Sequence, residues 1–319
     1  LCPALCYDNN RSTVRDEGMK KLRGVRGAAG WCAVIALLYL LVRSVLYTAA
    51  DALLGLLLPG ASLARPVGVS DVTIGLIQLF IGLGAILLPL ACALRLTRLN
   101  GRDLRLLLPA PWSPAFCLPV FLGLANIGNL AGALLSGLTG SAAEPQRLPS
   151  GGGALVLQFV ILCIMPAVLE ELFFRGALQG LLRPSGSAAA IFGPALLFAL
   201  LHLDLVQGLT ALICGVFLGW LAERSGSILP GMLLHFINNT LAFLALYLRL
   251  YAPAEVSLGL ELFLVAFFPL FCLWLLYHAR TQGFRFSAGL RPGVDVLAVF
   301  SSPAYTLTVL FLLFYIVLF

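Results

Sequence analysis

The chain has 319 residues, 61% of them hydrophobic and only 11% charged, with a formal net charge of +6. Soluble domains run nearer half apolar and a quarter charged, so this balance excludes an ordinary water-soluble fold and points to lipid as the solvent. The basic excess is not a nucleic-acid signature, because the Lys and Arg residues sit between apolar runs and are not interleaved with aromatics; a lipid bilayer is the expected partner, and no nucleic acid.

At the start, Met19-Lys20-Lys21-Leu22-Arg23 reads like a natural bacterial start, and basic residues then lead into the apolar run opened by Trp31. This resembles the n- and h-regions of a signal peptide, but without an obvious small-residue cleavage site it predicts an uncleaved first helix. Residues 1–30 are therefore expected to be a cytoplasmic tail, and 31–319 a membrane-embedded domain. Apolar stretches predict helices near 31–48, 72–96, 115–138, 154–180, 187–203, 206–222, 228–248, 256–278 and 294–319, with 187–222 open to a different division. At roughly 20 apolar residues per span, this is an all-α, polytopic transmembrane helix bundle of about eight or nine spans. Breakers separate the stretches, among them Pro59-Gly60, Pro109-Ala110-Pro111, Pro184-Ser185-Gly186 and Arg291-Pro292-Gly293. Cys32, Cys92, Cys117, Cys163, Cys214 and Cys272 lie in or beside apolar stretches and form no CxxC pair, so they read as small buried hydrophobes; Cys2 and Cys6 are in the tail.

The basic residues orient the bundle. With the N-terminus cytoplasmic, fifteen Lys and Arg fall in inside segments, from Arg11 to Arg26, Arg95 to Arg105, and at Arg183, Arg224, Arg280, Arg285 and Arg291. Only Arg65, Arg147 and Arg249 fall outside. This positive-inside bias predicts an odd number of spans in a multi-pass bacterial plasma-membrane protein with Phe319 external.

Ionisable groups within spans cost about 2.5–3.5 kcal/mol each on insertion scales and need a reason. Arg43 and Glu261 lie nearer the predicted span ends, where a long side chain can snorkel. The fourth span is different: it carries Glu170-Glu171-Leu172-Phe173-Phe174-Arg175, three charges within six residues. Glu171 and Arg175, four apart, share a helix face and can pair, leaving Glu170 about 100° around the helix free for chemistry. His202 closes Phe198-Ala199-Leu200-Leu201-His202, and His235 and Asn239 share a face four residues apart. Phe198, one turn before His202, can wall that imidazole from lipid. His278, beside Arg280 at a span end, reads as interfacial.

Glu170-Glu171-x-x-x-Arg175, Phe198-x-x-x-His202 and His235-x-x-x-Asn239 together resemble the motif set of the CPBP family, which comprises CAAX prenyl endopeptidases and bacteriocin-processing or immunity proteins. The matching motifs cover residues 170–239, and the flanking spans resemble the family only in hydropathy. The resemblance implies an intramembrane endopeptidase in which Glu170 is the general base that activates water and His202 shares that water. It implies that His235 and Asn239 steady the oxyanion, while Arg175 with Glu171 holds the carboxylate in register. The implied partner is a peptide or membrane-protein substrate. A zinc-dependent protease using the same residues is the alternative; absence of HExxH and the weakness of Asn239 as a zinc ligand favour a reaction without a cofactor. A non-catalytic scaffold or immunity protein is the alternative from another class. Serine chemistry lacks a GxSx motif within a span, and aspartyl chemistry lacks a deep aspartate, Asp204 being at an end.

Overall fold

The computed structural model describes residues 4–139, 148–287, 290–293 and 296–318, with side chains described from Arg23 onward. Cys2 and Arg147, and the side chains of Cys6, Arg11, Arg15, Met19, Lys20 and Lys21, lie outside that description. Among the described residues the regular structure is helical throughout. In chain order the helices are α1 (Ala4–Leu57), α2 (Asp71–Thr97), α3 (Pro114–Thr139), α4 (Gly152–Ser185), α5 (Ser187–Leu200), α6 (Leu205–Ser225), α7 (Leu229–Tyr251), α8 (Ala254–Thr281) and α9 (Pro303–Leu318). Seven are long and apolar enough to cross a membrane, α1 over Arg23–Leu57. α5 and α9 are shorter and apolar, so the chain is a polytopic helical bundle.

The helices start and stop where the local chemistry requires. Ser70 caps α2 by accepting from the Thr73 amide at 3.1 Å, and Asp204 caps α6 by accepting from Gln207 at 2.6 Å. α1 departs from expectation at its start: the helix runs back to Ala4, through what the composition marked as a tail. α5 is shorter than the predicted 187–203, because the chain turns at Leu201–Asp204 with Leu203 in the left-handed region at φ 56°. Its 14 residues rise about 21 Å, short of the roughly 30 Å apolar core of a bilayer.

Loops collect at two ends. At one end Ala110 donates to the Ser225 carbonyl at 2.8 Å, Ile228 to Arg105 at 3.1 Å and Ser187 to Arg291 at 3.1 Å. At the other, Tyr247 donates to the Ser150 carbonyl at 3.2 Å and Tyr251 to Leu148. α5 and α6 form a hairpin whose feet, Ser187 and Glu223, meet at 3.2 Å at the first end.

Two apolar clusters organise the interior. One joins α1, α2, α4, α5 and α9 around residues such as Phe173, Leu178 and Leu197; the other joins α3, α6 and α8 around Phe121, Phe217 and Cys272. Helices in lipid associate by close packing rather than by hydrophobic exclusion, so small residues mark their contacts. Gly123 is the tightest such point: a Cβ there would stand 2.2 Å from the Cys272 Cβ and 2.5 Å from the Phe268 carbonyl oxygen.

Candidate active site

The site lies at the seam of the two clusters, and α4 builds its floor. That helix is not uniformly α-helical. It alternates α turns with π-helical stretches at Val160–Ile164 and Glu171–Leu178. The widened turns have a visible cause at the first stretch. Pro166 has no amide proton, so the Leu162 carbonyl loses its usual i+4 donor. Asn239 from α7 supplies the missing donor, its side-chain amide bonding Leu162 O at 3.1 Å. The second stretch carries Glu171 and Arg175, and π turns recur at functional sites.

Glu171 is fully buried, and its Oε1 accepts from Arg175 Nη1 at 2.8 Å and from His235 Nδ1 at 3.0 Å. Arg175, 2% exposed, lies with its guanidinium carbon 4.5 Å from the centre of the Phe198 ring, a cation–π contact in a dry place. A Cβ on Gly231 would stand 3.2 Å from Glu171 Oε2, so the glycine lets α7 approach this carboxylate closely. The buried charges are thus paired and shared across two helices, as low-dielectric surroundings require.

Glu170 is half-buried and free of that network. Its Oε2 stands 3.9 Å from His235 Nε2, too far for a direct hydrogen bond. A carboxylate only accepts, so His235 Nδ1 carries the proton shared with Glu171, and in the neutral ring Nε2 is the open nitrogen. His202 has the same arrangement: Nδ1 lies 2.8 Å from the Phe198 carbonyl and must donate to it, leaving Nε2 open. The Phe198 ring packs edge-on against His202 at 4.9 Å and against His235 at 6.4 Å, walling one side of the site.

A cavity of about 430 Å³ collects these groups: Glu170, Phe198, His202, His235 and Asn239 all line it, with Asn238 beside them. Glu171 and Arg175 lie behind it. The three motifs, carried on α4, on α5 with the turn that follows it, and on α7, thus come to one place. A second cavity of about 680 Å³ shares Glu170, Phe198 and His202 with the first and extends to α1 and α2. There the structure departs from the sequence reading of Arg43. It lies fourteen positions before Leu57 and lines this cavity, rather than sitting near a helix end.

Glu and two open imidazole nitrogens are a zinc-like donor set in type. Among the described residues, however, no three His, Cys, Asp or Glu side chains stand close enough together to hold one ion.

A further ionic cluster went unread in the sequence. Glu223, 2% exposed near the end of α6, accepts from Arg183 at 2.9 Å, Gln179 at 3.1 Å and Ser187 at 3.2 Å, and pairs with Arg105 at 3.1 Å and Arg291 at 3.3 Å. Burial, helped by the like charges of Arg183 and Arg291, pushes the Arg105 guanidinium down to about 10 against the pull of Glu223. Arg183 also reaches the Arg175 carbonyl at 3.5 Å, linking this clasp to the end of α4 that carries the site. The only sequence signal was an acidic residue in a helix end flanked by apolar turns, which composition treats as solvated.

No curated protein and no solved structure matches the chain. Residues 152–241, which run from the start of α4 through Asn239 and hold all three motifs, match the family model described as Rce1-like: Type II CAAX prenyl endopeptidase, so this segment is similar to the CPBP/CAAX proteases.

Proposed function

We propose that the chain is a glutamate-type intramembrane endopeptidase, with Glu170 as general base and no metal in the reaction. The observation that carries this reading is the convergence of Glu170, His202 and His235, distant in sequence, on one cavity within an otherwise apolar bundle. A water held between the Glu170 carboxylate and the open Nε2 of an imidazole gives up a proton to Glu170 as its oxygen attacks the peptide carbonyl. The carbonyl oxygen becomes an oxyanion, and the proton held by Glu170 passes to the leaving amine as the C–N bond breaks.

The supporting residues have separate tasks. Glu171 fixes the His235 tautomer and Arg175 balances the charge of Glu171. Fixed donors near a developing oxyanion are worth about 2.7–4 kcal/mol each in such sites. The Asn239 amide has one N–H on Leu162 O and a second available for this purpose. His235 reaches the role when protonated at Nε2. The bond cleaved belongs to a peptide or membrane-protein segment presented from the bilayer. With basic residues gathered at the Glu223 end, that end is the cytoplasmic one, in a bacterial plasma membrane.

The experiment is an untargeted comparison of membrane peptides before and after incubation with the reconstituted protein and with its Glu170→Gln variant. Cleavage products unique to the wild type are expected. Identical product sets from the two proteins would contradict the proposal.

A further inference from the structure

Arg43 is the residue the reaction leaves unexplained. α1 and α4 run antiparallel: Cys32 lies against the Leu178 carbonyl at 3.5 Å, and seven positions later Tyr39 packs on Phe173 with ring centres 5.9 Å apart. One turn beyond Tyr39, about 6 Å further along α1, Arg43 therefore comes level with Glu170. Tyr39 lies within electrostatic reach of both the Arg43 guanidinium and the Glu170 carboxylate. Among the described residues, Arg43 forms no ion pair, whereas Arg105, Arg175, Arg183, Arg249 and Arg291 each do. The cavity it lines has a volume of about 680 Å³, within the range of ligand sites. Its wall carries further hydrogen-bonding groups, with Gln158 bonded to Gln78 at 2.9 Å.

Arg43 is exposed towards a cavity of mixed apolar and polar lining beside a candidate catalytic carboxylate, and a cation so placed within a membrane helix is open to an anionic partner. Glu170 does not serve, since the two are not in contact. We propose that Arg43 is the anion-reading residue of the substrate site, taking a carboxylate of the peptide whose scissile bond lies beside Glu170. This rests on the endopeptidase reading above. The planar guanidinium fork matches a carboxylate in two parallel hydrogen bonds, which orients the peptide as well as holding it. The carboxylate is either the peptide's C-terminus or an acidic side chain on the leaving segment.

The test uses the full chain carrying Glu170→Gln, reconstituted in nanodiscs so that bound peptide persists. It is titrated with fluorescent peptides ending in S-farnesyl-Cys-Val-Ile-Ala, as the free acid, as the C-terminal amide, and as the amide with Asp in place of the final Ala. The acid is expected to bind about 10- to 100-fold more tightly than the amide. That preference is expected to vanish when Arg43→Gln is added and to survive in part with Arg43→Lys. Recovery of binding by the Asp-containing amide assigns the carboxylate to a side chain, and its absence assigns it to the C-terminus; either supports Arg43 as its reader. Equal binding of acid and amide, no binding of any peptide, or a preference that outlasts Arg43→Gln would overturn the proposal. The acid–amide comparison needs no change at Arg43, so it still decides the matter if the Arg43 variants misfold. Acid-selective binding by a wild type that cleaves nothing would instead sink the endopeptidase reading and leave the carboxylate site standing.

Discussion

Glu171 concentrates the energetics of the site in one atom, because its Oε1 serves Arg175 and His235 at once in a place closed to water. Removing Arg175 leaves a buried carboxylate without its counter-charge, and removing Glu171 leaves a buried guanidinium. Breaking a buried pair from one side costs about 3–5 kcal/mol, whereas removing both partners can cost far less. A double-mutant cycle of Glu171→Gln and Arg175→Met, followed by thermal unfolding in detergent, is expected to show strongly non-additive losses. Strictly additive shifts in the midpoint would contradict the shared network. At this scale the sequence was partly legible. The spacing of Glu171 and Arg175 carries their pairing, since four positions on a helix define a face. His235 entering the same pair was not legible, because it arrives from 64 positions away and only tertiary packing brings it there. Nor was the bond from Asn239 to Leu162, whose cause, Pro166, was visible in the sequence but whose consequence depends on which helix packs alongside.

Between helices, the packing of α3 on α8 depends on the absence of a side chain at Gly123. A methyl group there meets the Phe268 carbonyl oxygen at 2.5 Å, and a backbone atom cannot swing aside as a side-chain tip can. Gly123→Ala is therefore expected to destabilise by about 1–3 kcal/mol, read as a lowered unfolding midpoint with the same far-UV helical signal. An unchanged midpoint would mean that the two helices do not pack as described. The Glu223 clasp acts on the same scale by tying the ends of α4 and α6 to the segments carrying Arg105 and Arg291. Glu223→Ala leaves three guanidinium groups facing one another, those of Arg105 and Arg183 largely buried and that of Arg291 half-exposed. A loss of about 3–5 kcal/mol is expected, measured in the same way, and partial rescue by high salt should accompany it. Helix positions were legible from the run lengths of apolar residues. The early end of α5 was not, because it depends on a turn at Leu201–Asp204 that carries no Gly or Pro to announce it. The π turns of α4 were hidden for a similar reason: periodicity over so short a run does not separate them from α turns.

For the whole molecule, composition alone was enough to identify a membrane bundle, since 61% hydrophobic residues leave no polar surface to cover a soluble fold. The division into helices was largely recoverable because seven of the apolar runs reach bilayer length, with α5 and α9 falling short of it. Arg43 is the lesson in the other direction: a short predicted helix put it near an end, and the longer helix that forms puts it well inside. The distribution of Lys and Arg predicts that reporter fusions at the two termini report opposite sides, with the N-terminus cytoplasmic; both reporters on one side would require a different number of crossings through the α5–α6 hairpin. The central claim, hydrolysis by a Glu170-activated water, is tested most directly by the cleavage rate of a reconstituted, metal-chelated preparation on an S-farnesyl-Cys-Val-Ile-Ala peptide. The wild type should cleave at the same rate with and without chelator, and Glu170→Gln should lower that rate by about 10²- to 10⁴-fold while unfolding at the same temperature. Comparable rates for wild type and Glu170→Gln, or wild-type activity lost to the chelator and restored by added zinc, would contradict it.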